Sequence, residues 1–238
     1  LLGSMYIGDN DSLFFPLRVT AEDVDDRIYR HTGLDAMPPG TYINLGDQTY
    51  GWEWDAVVDN GQTPDGLQVL AASPIFGMLL QDAGKFDNGD LALAAAHVTR
   101  YTAPSGAIVF TTGTIQWSWG LGAHATQAAD ADPVMTQMTY NLLADMGAQP
   151  GTPSGIIVDG SDAAPPAIDP ARFLPLDTPA PVISNVQAVV NGDSVTISWR
   201  TDVESIGQIW FGGRSGHIIF PTAQDLEYRT EHSITITD

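Results

Sequence analysis

The clearest hydrophobic periodicity in the chain predicts a helix over residues 133–146. Asp132 is a favourable N-cap, and Pro133 suits the first helical position because its nitrogen has no hydrogen to donate. Gly147 suits the position after the last turn, where a left-handed conformation is common. The apolar side chains recur every three or four residues and so share one helix face: Met135, Met138, Leu142 and Met146.

A different pattern, strict alternation of apolar and polar residues, begins at Val182 and predicts antiparallel strands. Val195, Ile197 and Trp199 alternate with polar residues, and further short strands are predicted over 208–211 and 233–237. The turn signal at 191–193, Asn-Gly-Asp, predicts a hairpin immediately before Val195. Strands at this spacing are typical of a β-sandwich.

These patterns divide the chain into three parts. Residues 1–150 are expected to form an α+β or α/β domain, a sheet with the helix at its C-terminal end. Residues 151–181 are rich in proline and alanine and are expected to form a stiff linker. Residues 182–238 are expected to form an all-β sandwich.

Aromatic residues occur in two pairs within the first part. Ile108–Phe110 is a short apolar run between turns, which predicts a buried strand, and Trp117 and Trp119 follow it. Two tryptophans separated by one residue point the same way if the segment is extended. Trp52 and Trp54 form a similar pair around Glu53. Such pairs occur more often in cores than in binding sites, and both interpretations stay open.

Two side chains in this part are candidates for acid–base chemistry. Glu53 lies between tryptophans, where loss of water raises the pKa of a carboxyl group towards neutrality. The alternative is that Glu53 faces water or pairs with an arginine. His97 is a weaker candidate, since a lone histidine is more often a hydrogen-bonded structural residue.

Closely spaced carboxylates raise the question of a metal site. Asp9 and Asp11 form one such group, and Asp23 and Asp25 form another. Carboxylate oxygens at short spacing can bind calcium, but neither segment has the glycine and glutamate of an EF-hand loop. A solvated acidic loop is the favoured interpretation.

The composition of the chain excludes several classes of binding partner and of chemistry. The formal net charge is −20, from 29 acidic and 9 basic residues, so nucleic acid and anionic membranes are not expected to bind. The charge also predicts a fold that tolerates high salt. Cysteine is absent, which excludes disulfides and thiol chemistry. No apolar run approaches the ~18 residues of a membrane helix, so no membrane insertion is expected.

Several long motifs carry a resemblance to a known family. Residues 101–121 (YTAPSGAIVFTTGTIQWSWGL), His97, residues 51–61 (GWEWDAVVDNG) and residues 141–150 (NLLADMGAQP) resemble the C-terminal part of the N,N-dimethylformamidase β-subunit-like domain. The resemblance favours a strand over 91–98 that pairs with 106–111. It also implies an extracellular or cell-surface location, since such domains occur in large secreted bacterial proteins.

The C-terminal part resembles a second family. Residues 183–212 and 231–238 (EHSITITD) are similar to a fibronectin type III or Ig-like module in which the last two strands are missing. An incomplete sandwich leaves unpaired backbone groups at its edge, so we expect either that the polypeptide continues beyond Asp238 or that a neighbouring subunit or protein module adds a strand.

Three functions follow as hypotheses. The favoured one is a non-catalytic structural, adhesion or binding portion of a secreted multidomain protein. The second is an iron-dependent amide hydrolase, because dimethylformamidases cleave a small amide at an iron held by tyrosines and a glutamate; Glu53, with His97, would then be near the site. The third is a carbohydrate-binding surface built on Trp117 and Trp119, with Trp52 and Trp54 as further binding candidates.

Overall fold

The computed structural model describes most of the chain as β-structure with one α-helix. The described residues fall into two compact units, which we call the first unit (Leu1–Val57, Thr63–Leu79 and Asn88–Leu176) and the second unit (Val58–Gln62, Leu80–Asp87 and Asp177–Asp238). The residues described are 2–58, 60–81, 85–122, 131–149, 151, 154–176, 181–211 and 220–237.

A six-stranded sheet in the order β5-β4-β3-β1-β2-β6 organises the N-terminal part of the chain. Its strands are β1 (Met5–Thr20), β2 (Thr41–Ala56), β3 (Gln68–Gln81), β4 (Lys85–Thr102), β5 (Ile108–Thr111) and β6 (Leu174–Pro175). Each strand pair whose register the structure describes is antiparallel. An α/β fold needs parallel strands with helical crossovers, so the α/β alternative is wrong.

The pairing of β1 with β2 sets the two faces of the sheet. Leu17 lies opposite Leu45 and Val19 lies opposite Ile43, and all four side chains are fully buried. Because side chains alternate between faces, Arg18 and its partner on β2 lie on the other face. The core therefore covers one face here, while Arg18 and Asn44 lie on the opposite face.

Two expectations for the strands need adjustment. The strand predicted over Ile108–Phe110 exists, but it is the edge strand β5 and is only partly buried. It pairs with Thr99–Thr102 of β4, slightly later in the chain than the predicted 91–98. In the predicted linker, Leu174 and Pro175 pair with β2 and extend the sheet.

The predicted helix is confirmed as α1 (Pro133–Asp145). The Asp132 carboxylate accepts hydrogen bonds from the backbone N–H groups of Val134 (2.9 Å) and Met135 (3.4 Å), as an N-cap does. Gly147 follows with φ of +80°. Met146 was expected on the apolar face but is 42% exposed, because the helix ends at Asp145 and Met146 is its C-cap.

The second unit contains a three-stranded antiparallel sheet in the order β7-β8-β9. Its strands are β7 (Ile183–Asn191), β8 (Ser194–Phe211) and β9 (Phe220–Thr237). The predicted hairpin turn is confirmed, since Asn191 pairs with Ser194. The two predicted strands at 195–199 and 208–211 are one continuous strand, β8, with register shifts along its pairing to β9. A facing second sheet, and with it a fibronectin type III fold, stays a prediction.

In the described part of the chain, no helix combines the length and the apolar character that crossing a membrane would require.

Candidate functional site

Three aromatic rings from separate segments meet at the surface of the first unit. The ring centroids of Trp52 and Trp119 are 5.6 Å apart, those of Phe14 and Trp119 are 5.8 Å apart, and those of Phe14 and Trp52 are 6.2 Å apart. We call these residues the aromatic cluster. Trp52 is 43% exposed, and Phe14 and Trp119 are partly exposed. The arrangement offers ring surface to an external ligand.

Irregularities in the local backbone position the cluster. The pairing of β1 with β2 shifts register between Asn10 and Phe15, and Phe14 lies within that interval. Trp52 has φ of +43°, a left-handed conformation that residues with a Cβ atom rarely adopt. Such a conformation costs about 1–3 kcal/mol and persists where the surroundings impose it. Its occurrence at an exposed tryptophan suggests a role in binding.

A buried amide lies against the cluster. Gln116 is 1% exposed, and neither polar atom of its side chain has a hydrogen-bond partner within the described residues. A Cβ atom added to Gly51 would lie 2.5 Å from Phe14 Cδ1 and 2.7 Å from Gln116 Oε1, so glycine is required for this close approach. Each unsatisfied buried group costs about 1–3 kcal/mol. The amide is therefore available to a water molecule or a ligand group.

An acidic strip runs along β1 and β2 beside Trp52. Glu53 is exposed and lies opposite Asp9, and Tyr6 lies opposite Asp55. Burial, followed by the charges of Asp9 and Glu53, raises the pKa of Tyr6 to about 12. Burial, followed by the charge of Glu53, also raises the pKa of Asp55. The sequence suggested a desolvated carboxyl group at Glu53. In the structure Glu53 is exposed, and the carboxyl group with a pKa raised by burial is that of Asp55, which the pattern of tryptophans did not indicate.

The four tryptophans predicted as binding residues separate into two groups. Trp52 and Trp119 belong to the aromatic cluster, whereas Trp54 and Trp117 are buried. Trp117 Nε1 donates a hydrogen bond to Thr139 Oγ1 at 3.0 Å. Trp117 and Trp119 would point the same way in an extended segment, but residues Trp117–Gly120 form a 3₁₀ turn.

The described hydrogen bond of the His97 side chain involves a residue outside the acidic strip. Its Nδ1 accepts a hydrogen bond from the backbone N–H of Val57 at 3.0 Å. Burial lowers the pKa of His97 below its usual value, so the ring is neutral at pH 7. A neutral ring in this position holds β4 against the end of β2. The catalytic roles assigned to Glu53 and His97 stay predictions.

The described residues contain no group of three or more histidine, aspartate or glutamate side chains placed to hold a metal ion. Asp23 accepts hydrogen bonds from the backbone and hydroxyl of Thr20, both at 2.9 Å, and so closes a turn. Asp25 is exposed, Asp9 lies opposite Glu53, and the side chain of Asp11 lies outside the described residues. Calcium binding and iron binding both stay predictions.

A second group of polar side chains, in the second unit, was missed by sequence analysis. His232 Nε2 is 3.2 Å from Ser205 Oγ, and its Nδ1 is 3.2 Å from Asp225 Oδ2. Asp225 accepts hydrogen bonds from Arg229 at 2.5 and 2.6 Å, and Ser205 donates to Thr201 at 3.2 Å. The order serine–histidine–aspartate resembles a nucleophile with its base, but every member is buried and engaged. We therefore interpret the group as support for the sheet.

The fold and the site together define a mostly β protein with an exposed aromatic cluster beside an acidic strip. The chain belongs to the family described as N,N-dimethylformamidase beta subunit-like, C-terminal, whose model matches residues 1–130. Neither a curated protein nor a solved structure gives a significant match to the chain.

Proposed function

We propose that this chain is a non-catalytic binding portion of a larger secreted protein, and that the aromatic cluster is its ligand surface. The observation that carries the proposal is Trp52, which is exposed in a left-handed conformation while its ring contacts Trp119 at 5.6 Å. An exposed tryptophan in a strained conformation adds little to the core, so this arrangement favours a role in binding.

Neutral carbohydrate is the ligand class that suits the cluster best. The C–H face of a sugar ring packs on an aromatic ring, and its hydroxyl groups need nearby polar partners. The carboxylate of Glu53, the residue after Trp52, can accept hydrogen bonds from hydroxyl groups. The net charge of −20 repels acidic polysaccharides and so disfavours them as ligands.

Affinity electrophoresis in gels that contain xylan, mannan or β-glucan tests this proposal. We expect at least one neutral polysaccharide to retard the protein, and Trp52→Ala and Trp119→Ala each to weaken retardation at least tenfold. Leu143→Ala, which removes an exposed apolar side chain from α1, is the matched control and is expected to behave as the wild type. Equal retardation of all variants, or none for the wild type, contradicts the proposal.

An amide-hydrolase portion is the second candidate, and the family membership favours it. The groups available for acid–base chemistry are Asp55, whose pKa is raised by burial, and Glu53 and Tyr6 beside it. The test is release of dimethylamine from N,N-dimethylformamide by the purified chain, with Asp55→Asn and Glu53→Gln as variants. Hydrolysis that both variants abolish would favour the enzyme over the binding portion.

An extracellular location and assembly through strand addition complete the proposal. In the described sheet, β7 is an edge strand that pairs with β8, and its valines are exposed, with Val186 at 64% and Val190 at 73%. An exposed apolar edge favours pairing with another chain. Light scattering after size-exclusion chromatography is expected to show oligomers that Val186→Lys reduces. A monomer at all concentrations contradicts strand addition.

A further inference from the structure

Arg18 has an unusual position for a cation in this acidic protein. It lies on β1, directly opposite Asn44 of β2, on the face of the sheet away from Leu17 and Leu45. Its guanidinium carbon is 4.0 Å from the centre of the Tyr42 ring, so the aromatic face orients the group. The backbone N–H of Arg18 donates to Ser73 Oγ at 2.9 Å, which fixes the strand beside β3.

Arg18 also lacks a counter-ion among the described carboxylates. The other described arginine side chains each form at least one ion pair: Arg27, Arg30, Arg100, Arg172, Arg200 and Arg229. In a chain with 29 acidic residues, pairing is the ordinary state of an arginine. An arginine held on an aromatic ring without a carboxylate is therefore free to receive an anion from outside.

A cavity of about 270 Å³ adjoins this arginine. Apolar side chains form most of its wall, among them Phe15, Pro74, Phe76 and Leu93. Arg18 and Asn44 also line it, and Arg18 Nε and Asn44 Oδ1 are buried without a hydrogen-bond partner in the described structure. The cavity thus combines an apolar wall with two polar side chains on neighbouring strands, each of which has a buried atom without a hydrogen-bond partner.

We propose that this cavity binds a small monocarboxylate with an apolar body. A guanidinium group binds a carboxylate through paired N–H donors, and the apolar wall receives the rest of the ligand. The side-chain amide of Asn44 can present either its oxygen or its NH₂ group, so it can donate a further hydrogen bond to the carboxylate. A single cation and an apolar wall disfavour phosphates and dicarboxylates, which need more charge compensation.

Calorimetric titration of the full chain with sodium benzoate tests the proposal. We expect benzoate to bind with one site per chain and the neutral analogue benzamide to bind at least tenfold more weakly. Arg18→Met, which keeps the apolar stem, is expected to weaken benzoate binding at least tenfold. Arg200→Met removes the same charge at an exposed ion pair in the second unit and is expected to leave the affinity unchanged.

A second variant keeps the test decisive if Arg18→Met fails to fold. Asn44→Asp is nearly isosteric and places a carboxylate opposite Arg18, so it should occupy the guanidinium and abolish benzoate binding. In the wild type, benzoate is expected to shift the NMR amide signals of Arg18, Asn44 and Ile75. Equal binding of benzamide and benzoate, or unchanged affinity in Asn44→Asp, overturns the proposal. Trp52→Ala should retain benzoate binding, which separates this site from the aromatic cluster.

Discussion

The two units of this protein bury their interiors to different extents. The first unit encloses many large side chains completely, including Leu17, Ile43, Tyr50 and Trp54. Among the described side chains of the second unit, the buried apolar cluster consists of Trp199, Ile209 and Ile234, each 7–8% exposed, with two partly buried isoleucines beside it. Burial of apolar area is the main favourable term in folding. The described part of the second unit therefore depends more on other interactions.

Buried polar side chains supply those interactions in the second unit. The His232 ring stacks on Trp199 with centroids 5.0 Å apart and planes at 10°, next to Ser205 and Asp225. A satisfied polar network stabilises a fold, but loss of one member leaves the others buried without partners. We therefore expect apolar substitutions to destabilise the first unit most and polar substitutions to destabilise the second unit most.

The largest effect is expected for Trp54→Ala in the first unit. The ring is fully buried, and a Cβ atom on Gly77 would lie 2.5 Å from Trp54 Cη2, so the ring packs directly on β3. Removal of a buried tryptophan leaves a cavity and lowers the free energy of unfolding by about 3–5 kcal/mol. Urea denaturation followed by circular dichroism measures this loss. Trp52→Ala, two residues earlier and exposed, should lower the free energy of unfolding by about 1 kcal/mol or less. Equal losses in the two variants would contradict the expectation that burial sets the size of the effect.

In the second unit, Asp225→Asn is expected to have the next largest effect. The variant replaces a charged carboxylate with a neutral amide. That carboxylate accepts two hydrogen bonds from Arg229 and faces His232. We expect the free energy of unfolding to fall by about 1–3 kcal/mol, since hydrogen bonds to charged groups are stronger than neutral ones. Glu227→Gln, at an exposed partner of the same arginine, serves as the control. If both substitutions cost the same, the buried network contributes little.

Acid should also weaken the second unit through Asp225. Hydrogen bonds from Arg229 lower the pKa of Asp225 in the folded state. A carboxyl with a lowered folded-state pKa stabilises the fold above its unfolded pKa of about 3.9, and this contribution is lost as the pH falls through the folded value. The urea concentration at the unfolding midpoint should therefore decrease as the pH is lowered from 5 to 2. Asp225→Asn should flatten that dependence, and an unchanged slope would contradict it.

The smallest effect, with the opposite sign, is expected at Asp55 in the first unit. Burial raises the pKa of Asp55, so its contribution to stability is present below about pH 3.9 and is lost as the pH rises through the folded value. Asp55→Asn should remove this part of the pH dependence while the raised pKa of Asp23 leaves another part in place. NMR titration of the Asp55 carboxyl carbon measures the pKa directly. A value below about 3.9 would contradict the expected direction.

Features with local signals were the ones that the sequence predicted correctly. Helix α1, its Asp132 cap and the Gly147 end rest on contacts within a few residues, as does the 191–193 hairpin turn. Long motifs identified the family, and the family model matches residues 1–130. The candidate site was predicted in part: Trp52 and Trp119 do meet, although nothing in their spacing required it.

Only the tertiary structure decided which side chains share a site. The left-handed backbone of Trp52 and a 3₁₀ turn at Trp117–Gly120 separate Trp52 and Trp119 from the buried Trp54 and Trp117. Strand pairing likewise sets Arg18 against Asn44 and joins Ser205 to His232. Local sequence determines helices, caps and turns because their partners are neighbours in the chain. Contacts between distant strands depend on register, which no short pattern specifies.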